Sequence, residues 1–311
     1  DLNCAFGAYS LDANTTGIRN VALGYDSLGG NTTGDRNTSV GTYALKTNST
    51  TSYLTAVGYG ALYGNTTGSN NTGLGYAAVF TNTTGSNNTG VGYNSLDHNT
   101  TGDANTAVGA ESLDANTTAS YNTAIGRSAL KANTTGTQNT SVGSNSMDAT
   151  TDGNYNCAMG VNALGANTSG DYNIAIGVQA LLANTTANDN VAVGYNAMAS
   201  NTTGYSNVAV GSYALDSVTT ATSCTAVGHA ALTNNTGGTN TAVGWQCLYS
   251  NTGGVHNVAV GANALFACTT TSQNVAIGNY ALDASTGGDN NVAVGYNALG
   301  ASVTGDSNVA I

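Results

Sequence analysis

The chain contains no proline, and only 5 Lys or Arg and 16 Asp or Glu stand among its 311 residues. An ordinary globular sequence is about one quarter charged, so an average compact domain is a poor description of this one. Aromatic residues reach only 7% while hydrophobic residues make up 40%. That fraction rests on Ala, Val and Leu, which excludes a wide core of bulky side chains. Phosphate binding needs clustered Lys or Arg; with only Arg19, Arg36, Lys46, Arg127 and Lys131 against a net charge of -11, nucleic acid and anionic membranes are excluded as partners. No apolar run approaches the ~18 residues that span a bilayer, which argues against membrane insertion. The opening DLNCAFGAYS has neither the basic start nor the apolar stretch of a targeting segment.

What the chain does have is glycine at a fixed interval. Gly recurs at 7, 24, 41, 58, 75, 92, 109, 126, 143, 160, 177, 194, 211, 228, 244, 261, 278 and 295, so every spacing is 17 residues except one of 16. An internal period overrides the estimate of domain number that length alone suggests. Residues 1–311 therefore read as a single repeat array. Gly92 to Val108, GYNSLDHNTTGDANTAV, is a representative repeat, and the short one, Gly228 to Val243, has lost a residue between Gly238 and Asn240, which marks a loop.

Counting the glycine as position 1, position 5 is Leu except at Val79, Met147 and Met198, and reads as a core rank. Position 17 is always apolar, from Phe6 to Ile311, and position 16 is only Ala, Ser or Gly, so something packs closely over it. Position 14 is Asn except at Leu54 and Cys224, and position 8 is mostly Asn, as in Asn14, Asn31 and Asn65, which makes two candidate Asn ladders.

Positions 14 to 17 alternate and favour β-branched residues, which predicts a short strand ending at the glycine. A helix is excluded by recurrent NTTG, by weak helix formers and by the lack of apolar residues at helical spacing. A second short strand is expected over positions 2 to 6, as in residues 195–198. Each repeat is then one coil of two strands and two turns, and stacking at the ~4.8 Å strand spacing gives a rod on the order of 85 Å long. The fold class is all-β, a parallel β-solenoid or β-roll of about eighteen coils. The corner glycines, among them Gly24, Gly58, Gly92, Gly109, Gly126, Gly177, Gly194 and Gly261, are expected at positive φ.

NVAIG at 274–278, NIAIG at 173–177 and NTAIG at 122–126 resemble the recurring strand of the trimeric autotransporter adhesin head. That resemblance implies a left-handed parallel β-roll with three chains packed side by side. The whole repeat, with its GYNAL and NTTG parts, is similar to repeats in tail-fibre proteins of phages and other viruses and in bacterial surface fibres. It implies an extracellular, cell-surface or virion location. The strand's two apolar faces independently suggest a homo-oligomer, with a shared lateral interface over the small Ala rank. No capping repeat is visible at Asp1 or Ile311, so the array is expected to belong to a longer chain or assembly.

The chemistry-bearing residues are scattered. Cys4 and Cys157 share position 15, whereas Cys224, Cys247 and Cys268 fall at positions 14, 4 and 8, so neither disulfides nor a Cys zinc site is expected. His98, His229 and His256 fall at positions 7, 2 and 13 and cannot converge with one another, which leaves Ser and Thr without the base that nucleophilic catalysis needs. No enzyme activity, cofactor or metal is expected. Asp12, Asp97, Asp114, Asp148, Asp216 and Asp283 share position 6, too sparsely for a calcium rank of six to eight oxygens. Tyr25, Tyr59, Tyr76, Tyr93, Tyr195, Trp245 and Tyr296 all occupy position 2, a candidate ligand-contact row along one edge. Asn14, Asn31, Asn82, Asn116 and Asn201 stand in N-x-Ser/Thr form, the glycosylation acceptor where a host reads it.

Two functions fit best. One is the structural shaft of a fibre that spaces a binding tip from its anchor. The other is an adhesive surface that holds glycans or a host-cell surface through the Asn and Thr ladders or the Tyr row. A third, ice binding, is raised by Thr15, Thr32, Thr66 and Thr83, but each has a Thr neighbour pointing the opposite way.

Overall fold

The computed structural model describes residues 2–301 and 304–311, so Asp1, named above as an uncapped start, lies outside the described residues. The chain divides into two compact units, Asp1–Asn156 and Cys157–Ile311. Among the described residues there is no helix; the first unit carries nine short strands, from Cys4–Phe6 to Thr140–Val142, and the second ten, from Cys157–Met159 to Val309–Ala310. Both units are parallel β-solenoids, together about eighteen coils.

Each strand but the last covers positions 15 to 17 and pairs with its equivalent in the next coil. In the first unit Thr106 faces Thr123, Ala107 faces Ala124 and Val108 faces Ile125. In the second, Ile174 faces Val191 and Ala175 faces Ala192. The short repeat keeps this register, with Thr225 opposite Thr241, because the loss falls in the loop before the strand: Asn235 Nδ2 donates to the Gly237 carbonyl two residues on where other repeats span three, so the missing residue lies between Asn235 and Gly237 and not between Gly238 and Asn240.

The expected second strand is absent. Positions 2 to 6 form a turn in which positions 3 and 5 adopt left-handed backbone, as at Glu111 (φ 57°) and Leu113 (φ 49°). The coil-to-coil bonding continues regardless: the Glu111 N–H donates to the Tyr93 carbonyl at 2.8 Å and the Leu113 N–H to the Ala129 carbonyl at 3.0 Å. Left-handed backbone costs a non-glycine residue ~1–2 kcal/mol. Burying Leu returns ~1.5–3 kcal/mol, so a fully buried Leu113 can hold that conformation.

The interior is narrow. It contains the Leu of position 5, the small residue of position 4, the Ala of position 16 and the two Asn ranks, all at or near zero exposure, as at Leu113, Ser112, Ala107, Asn105 and Asn116. The Ala rank therefore packs inside its own chain and cannot be a lateral interface, as had been expected of it. A strand alternates its faces, so positions 15 and 17 turn outward, and the apolar rank of position 17 is half-exposed, with Ile125 at 41% and Ile277 at 42%.

Both Asn ranks are ladders. At position 8, Asn116 Nδ2 donates to Asn99 Oδ1 at 2.8 Å, and Asn99 Nδ2 to Asn82 Oδ1 at 2.7 Å. At position 14, Asn105 Oδ1 accepts the backbone N–H of Asn122 at 3.0 Å. The two ladders meet at one carbonyl per coil: Ala119 O accepts from Asn105 Nδ2 at 2.8 Å and from Asn116 Nδ2 at 3.1 Å. Where the next coil supplies no Asn at position 8, the ladder ends. Thr150 follows Asn133 and Val218 follows Asn201, and the Oδ1 atoms of Asn133 and Asn201 are buried without a donor.

The ladder and the corner generate opposing expectations for unfolding midpoints. Asn116→Val removes the donor to Asn99 Oδ1 and the acceptor of Asn133 Nδ2; each orphaned group costs ~1–3 kcal/mol. Val218→Asn supplies the donor that Asn201 Oδ1 lacks and raises the midpoint. Gly109 lies at φ 137°, and a Cβ there would stand 2.6 Å from the carbonyl carbon of Gly126, so Gly109→Val costs at least ~1–3 kcal/mol. Thermal denaturation followed by circular dichroism reads all three; equal midpoints for Asn116→Val and wild type would contradict the ladder.

Candidate functional site

The corner glycines Gly24, Gly58, Gly92, Gly109, Gly126, Gly177, Gly194 and Gly261 lie at φ between 128° and 138° and carry no surface chemistry. Surface chemistry sits beside them. Tyr25, Tyr59, Tyr76, Tyr93, Tyr195, Trp245 and Tyr296 are all exposed, from 45% at Tyr25 and Tyr195 to 78% at Tyr296.

In the first unit the row is wider than position 2. Tyr9 and Tyr25 meet edge to face at 5.6 Å, Tyr25 and Tyr43 at 5.5 Å, and Tyr43 and Tyr59 at 6.0 Å. Tyr59, Tyr76 and Tyr93 then stack nearly parallel at 5.2 and 5.4 Å. Tyr63 and Phe80 of position 6 stack at 4.9 Å beside them, and Tyr43 links the two rows at 6.5 Å. Tyr9 and Tyr43 of position 3 were missed because a strand would send position 3 to the face opposite position 2. The left-handed backbone at position 3 brings both to one side. The pattern of Tyr at positions 2 and 3 in alternating repeats was the available signal.

This arrangement decides what the rings can do. Parallel rings spend their faces on each other, so Tyr59, Tyr76 and Tyr93 tie coil to coil and turn edges to solvent. A recess of about 340 Å³ lies between Tyr43, Lys46, Tyr59, Tyr63 and Phe80. Lys46 Nζ closes one side of it, 4.7 Å from the Tyr43 ring centre and 2.9 Å from Asp26 Oδ2. The hydrogen bond that Lys46 donates to the Asp26 carboxylate raises the Lys46 pKa above its ordinary value.

In the second unit Tyr195 meets Tyr213 edge to face at 5.3 Å, and Tyr213 meets His229 at 5.9 Å. Trp245, 50% exposed, borders a recess of about 350 Å³ with Gln246, Asn263, Phe266, Tyr280 and Asp283. Asp283 Oδ1 is buried there without a hydrogen-bond donor.

The histidines stay apart from one another, but His98 reaches two carboxylates of the position 6 rank: its Nδ1 is 3.8 Å from Asp97 Oδ2 and 3.5 Å from Asp114 Oδ1. Burial pushes the Asp97 carboxyl above the ordinary carboxylate range, with His98 opposing and Asp114 adding to the rise. Burial likewise raises Asp148 and Asp216. The five cysteines are free thiols. Three stand in for core residues: Cys268 in the first Asn ladder, 2.8 Å from Thr271 Oγ1, Cys224 in the second, and Cys247 at position 4, where burial pushes the thiol up to about 12.

Two sequence signals take on a structural meaning. Asn31, Asn82, Asn116 and Asn201 are fully buried with their Nδ2 atoms bonded in the ladder, so a glycan on that nitrogen is incompatible with the folded coil. The Thr15, Thr32, Thr66 and Thr83 hydroxyls donate to the carbonyl of the next coil at 2.8–3.0 Å, so their hydrogen-bond donors are spent within the stack.

No family model matches the chain, and no curated protein matches it. No helix among the described residues is long and apolar enough to cross a membrane.

The raised carboxyls set a pH dependence. A carboxyl whose folded pKa exceeds its unfolded value holds its proton more firmly when folded, so its stabilising effect is greatest in acid and is lost as pH rises through that interval. Asp216→Asn removes the burial of a charge, so the variant should unfold at a higher temperature than wild type at pH 7. The difference should vanish below about pH 4, where the wild-type carboxyl is protonated in both states. Melting curves across this range check it; a gain that does not depend on pH would contradict the assignment.

Proposed function

We propose that the chain is the structural shaft of an extracellular, cell-surface or virion fibre, a spacer that holds a binding tip away from its anchor. The observation that carries this reading is where the specific interactions lie. The two buried Asn ladders and the stacked Tyr59, Tyr76 and Tyr93 rings all join a coil to its neighbours. A solenoid whose coils contact mainly their neighbours transmits length and stiffness along one axis.

In this reading the coils wind left-handed and three copies pack side by side. The outward strand faces support that packing: Val57, Ile125, Ile176 and Val260 are each more than a third exposed in a rank that crosses the strands from coil to coil, and contiguous apolar surface of this kind marks association. The reading assigns no catalytic role, cofactor, nucleic acid or membrane to the chain.

A second reading, an adhesive surface for glycans, is favoured by the Trp245 recess. An exposed indole beside the Gln246 and Asn263 amides and the Asp283 carboxylate combines an apolar face with hydrogen-bonding groups suited to a sugar ring.

Deleting residues 109–125, one whole coil, restores the same contacts between flanking coils and shortens the stack by ~4.8 Å. The complete fibre should still fold and attach to its target, whereas deleting eight residues sets turn against strand and breaks the ladder. Loss of attachment by a folded, shortened fibre would replace the spacer by the adhesive reading. Light scattering should give a trimer; a monodisperse monomer at micromolar concentration would remove the side-by-side packing.

A further inference from the structure

We propose that Asp97, His98 and Asp114 form a binding site for one divalent transition-metal ion of the zinc class. The stack creates the site. Asp97 and Asp114 hold the same position in consecutive coils, whose strands pair residue for residue from Thr89–Thr106 to Val91–Val108. His98 follows Asp97 directly, and its backbone N–H donates to the Asp114 carbonyl at 3.1 Å, which sets the imidazole across the gap between the coils.

The donor atoms are close to metal geometry. His98 Nδ1 lies 3.5 Å from Asp114 Oδ1 and 3.8 Å from Asp97 Oδ2, and the three ligand atoms fall within 4.8 Å of one another. A tetrahedral zinc ion with bonds of about 2.0–2.2 Å holds its ligand atoms roughly 3.3–3.5 Å apart. Closing the triangle therefore asks for a small movement, and the His98 side chain, 60% exposed, is free to make it. Nδ1 would exchange its 3.0 Å contact with the Asp114 carbonyl for the metal.

A separate observation points to a cation. The Oδ1 atoms of both Asp97 and Asp114 are buried with no hydrogen-bond donor. Of these two atoms Asp114 Oδ1 is the one that faces His98, which meets the Asp97 carboxylate through its other oxygen, Oδ2. Lys131 occupies position 6 in the coil after Asp114, but its Nζ is held 2.7 Å from Glu111 Oε2. One imidazole nitrogen and two carboxylate oxygens suit zinc, or nickel and copper, better than calcium, which takes six to eight oxygens. The exposed side of His98 leaves a path of entry and room for water as the remaining ligand. Sequence spacing hid this site because its three residues belong to two different repeats and only the stacking register joins them.

The test is titration of the full chain with Zn²⁺ by calorimetry, with Ca²⁺ as control. One saturable Zn²⁺ site is expected, with affinity falling by an order of magnitude or more in His98→Ala and in Asp114→Asn and unchanged in Asp148→Asn, which alters the same position outside the pair. Zn²⁺ should raise the unfolding midpoint of the wild type, since an ion that binds only the folded state stabilises it, and Ca²⁺ should not. Imidazole nitrogen NMR should move Nδ1 of His98 and leave His229 and His256 in place. If Asp114→Asn does not fold, His98→Ala at the exposed position decides the matter. The proposal fails if no saturable Zn²⁺ binding occurs, if His98→Ala binds as wild type does, or if the shifted nitrogens belong to His229 or His256.

Discussion

The structure depends on one constraint: a buried Asn amide must find its partners in the neighbouring coil. An unpaired buried amide is costly, and a coil of seventeen residues cannot surround its own two Asn with enough donors and acceptors. Stacking solves this, because Asn116 finds Asn99 in the preceding coil and Asn105 finds Asn122 and the Ala119 carbonyl in the following one. Polar burial, which in most folds opposes a dry core, here enforces register. A shift by anything other than a full repeat would take at least one of the two Asn ranks out of line.

The narrow cross-section follows from that arrangement. With two amides inside, little volume remains for apolar side chains, and Leu at position 5 with Ala at positions 4 and 16 fills it, as at Leu164, Ala163 and Ala158. The strand then has to turn its larger Val and Ile side chains outward. The chain exposes what other proteins bury. Charge is nearly absent from these outward strand faces: the acidic rank lies at position 6, on the turn.

The turn carries both candidate sites. Left-handed backbone at positions 3 and 5 curls the stretch that follows the corner glycine, so residues two, three and six places along emerge together. Tyr43, Tyr59 and Tyr63 surround one recess for this reason, and Trp245, Gln246 and Asp283 border another. The same curl stacks Asp97 over Asp114 and leans His98 toward both.

By itself the sequence determined the period, the parallel stacking, a strand at positions 14 to 17 of which the structure uses 15 to 17, the buried Leu rank and the two Asn ladders. Each is written locally: glycine spacing gives the coil length, alternation gives the strand, and an amide recurring at one position can be satisfied only by its copies. The tertiary structure alone decided that positions 2 to 6 are a turn, that the Ala rank faces inward and the Val rank outward, that Tyr9, Tyr43, Tyr63 and Phe80 join the Tyr row, and that His98 meets two aspartates. These depend on the sign of φ at residues such as Glu111 and Leu113. Nothing in the side chain of Leu or Glu prefers left-handed backbone; the carbonyls and N–H groups of the adjacent coils hold it there, and they exist only once the stack has formed.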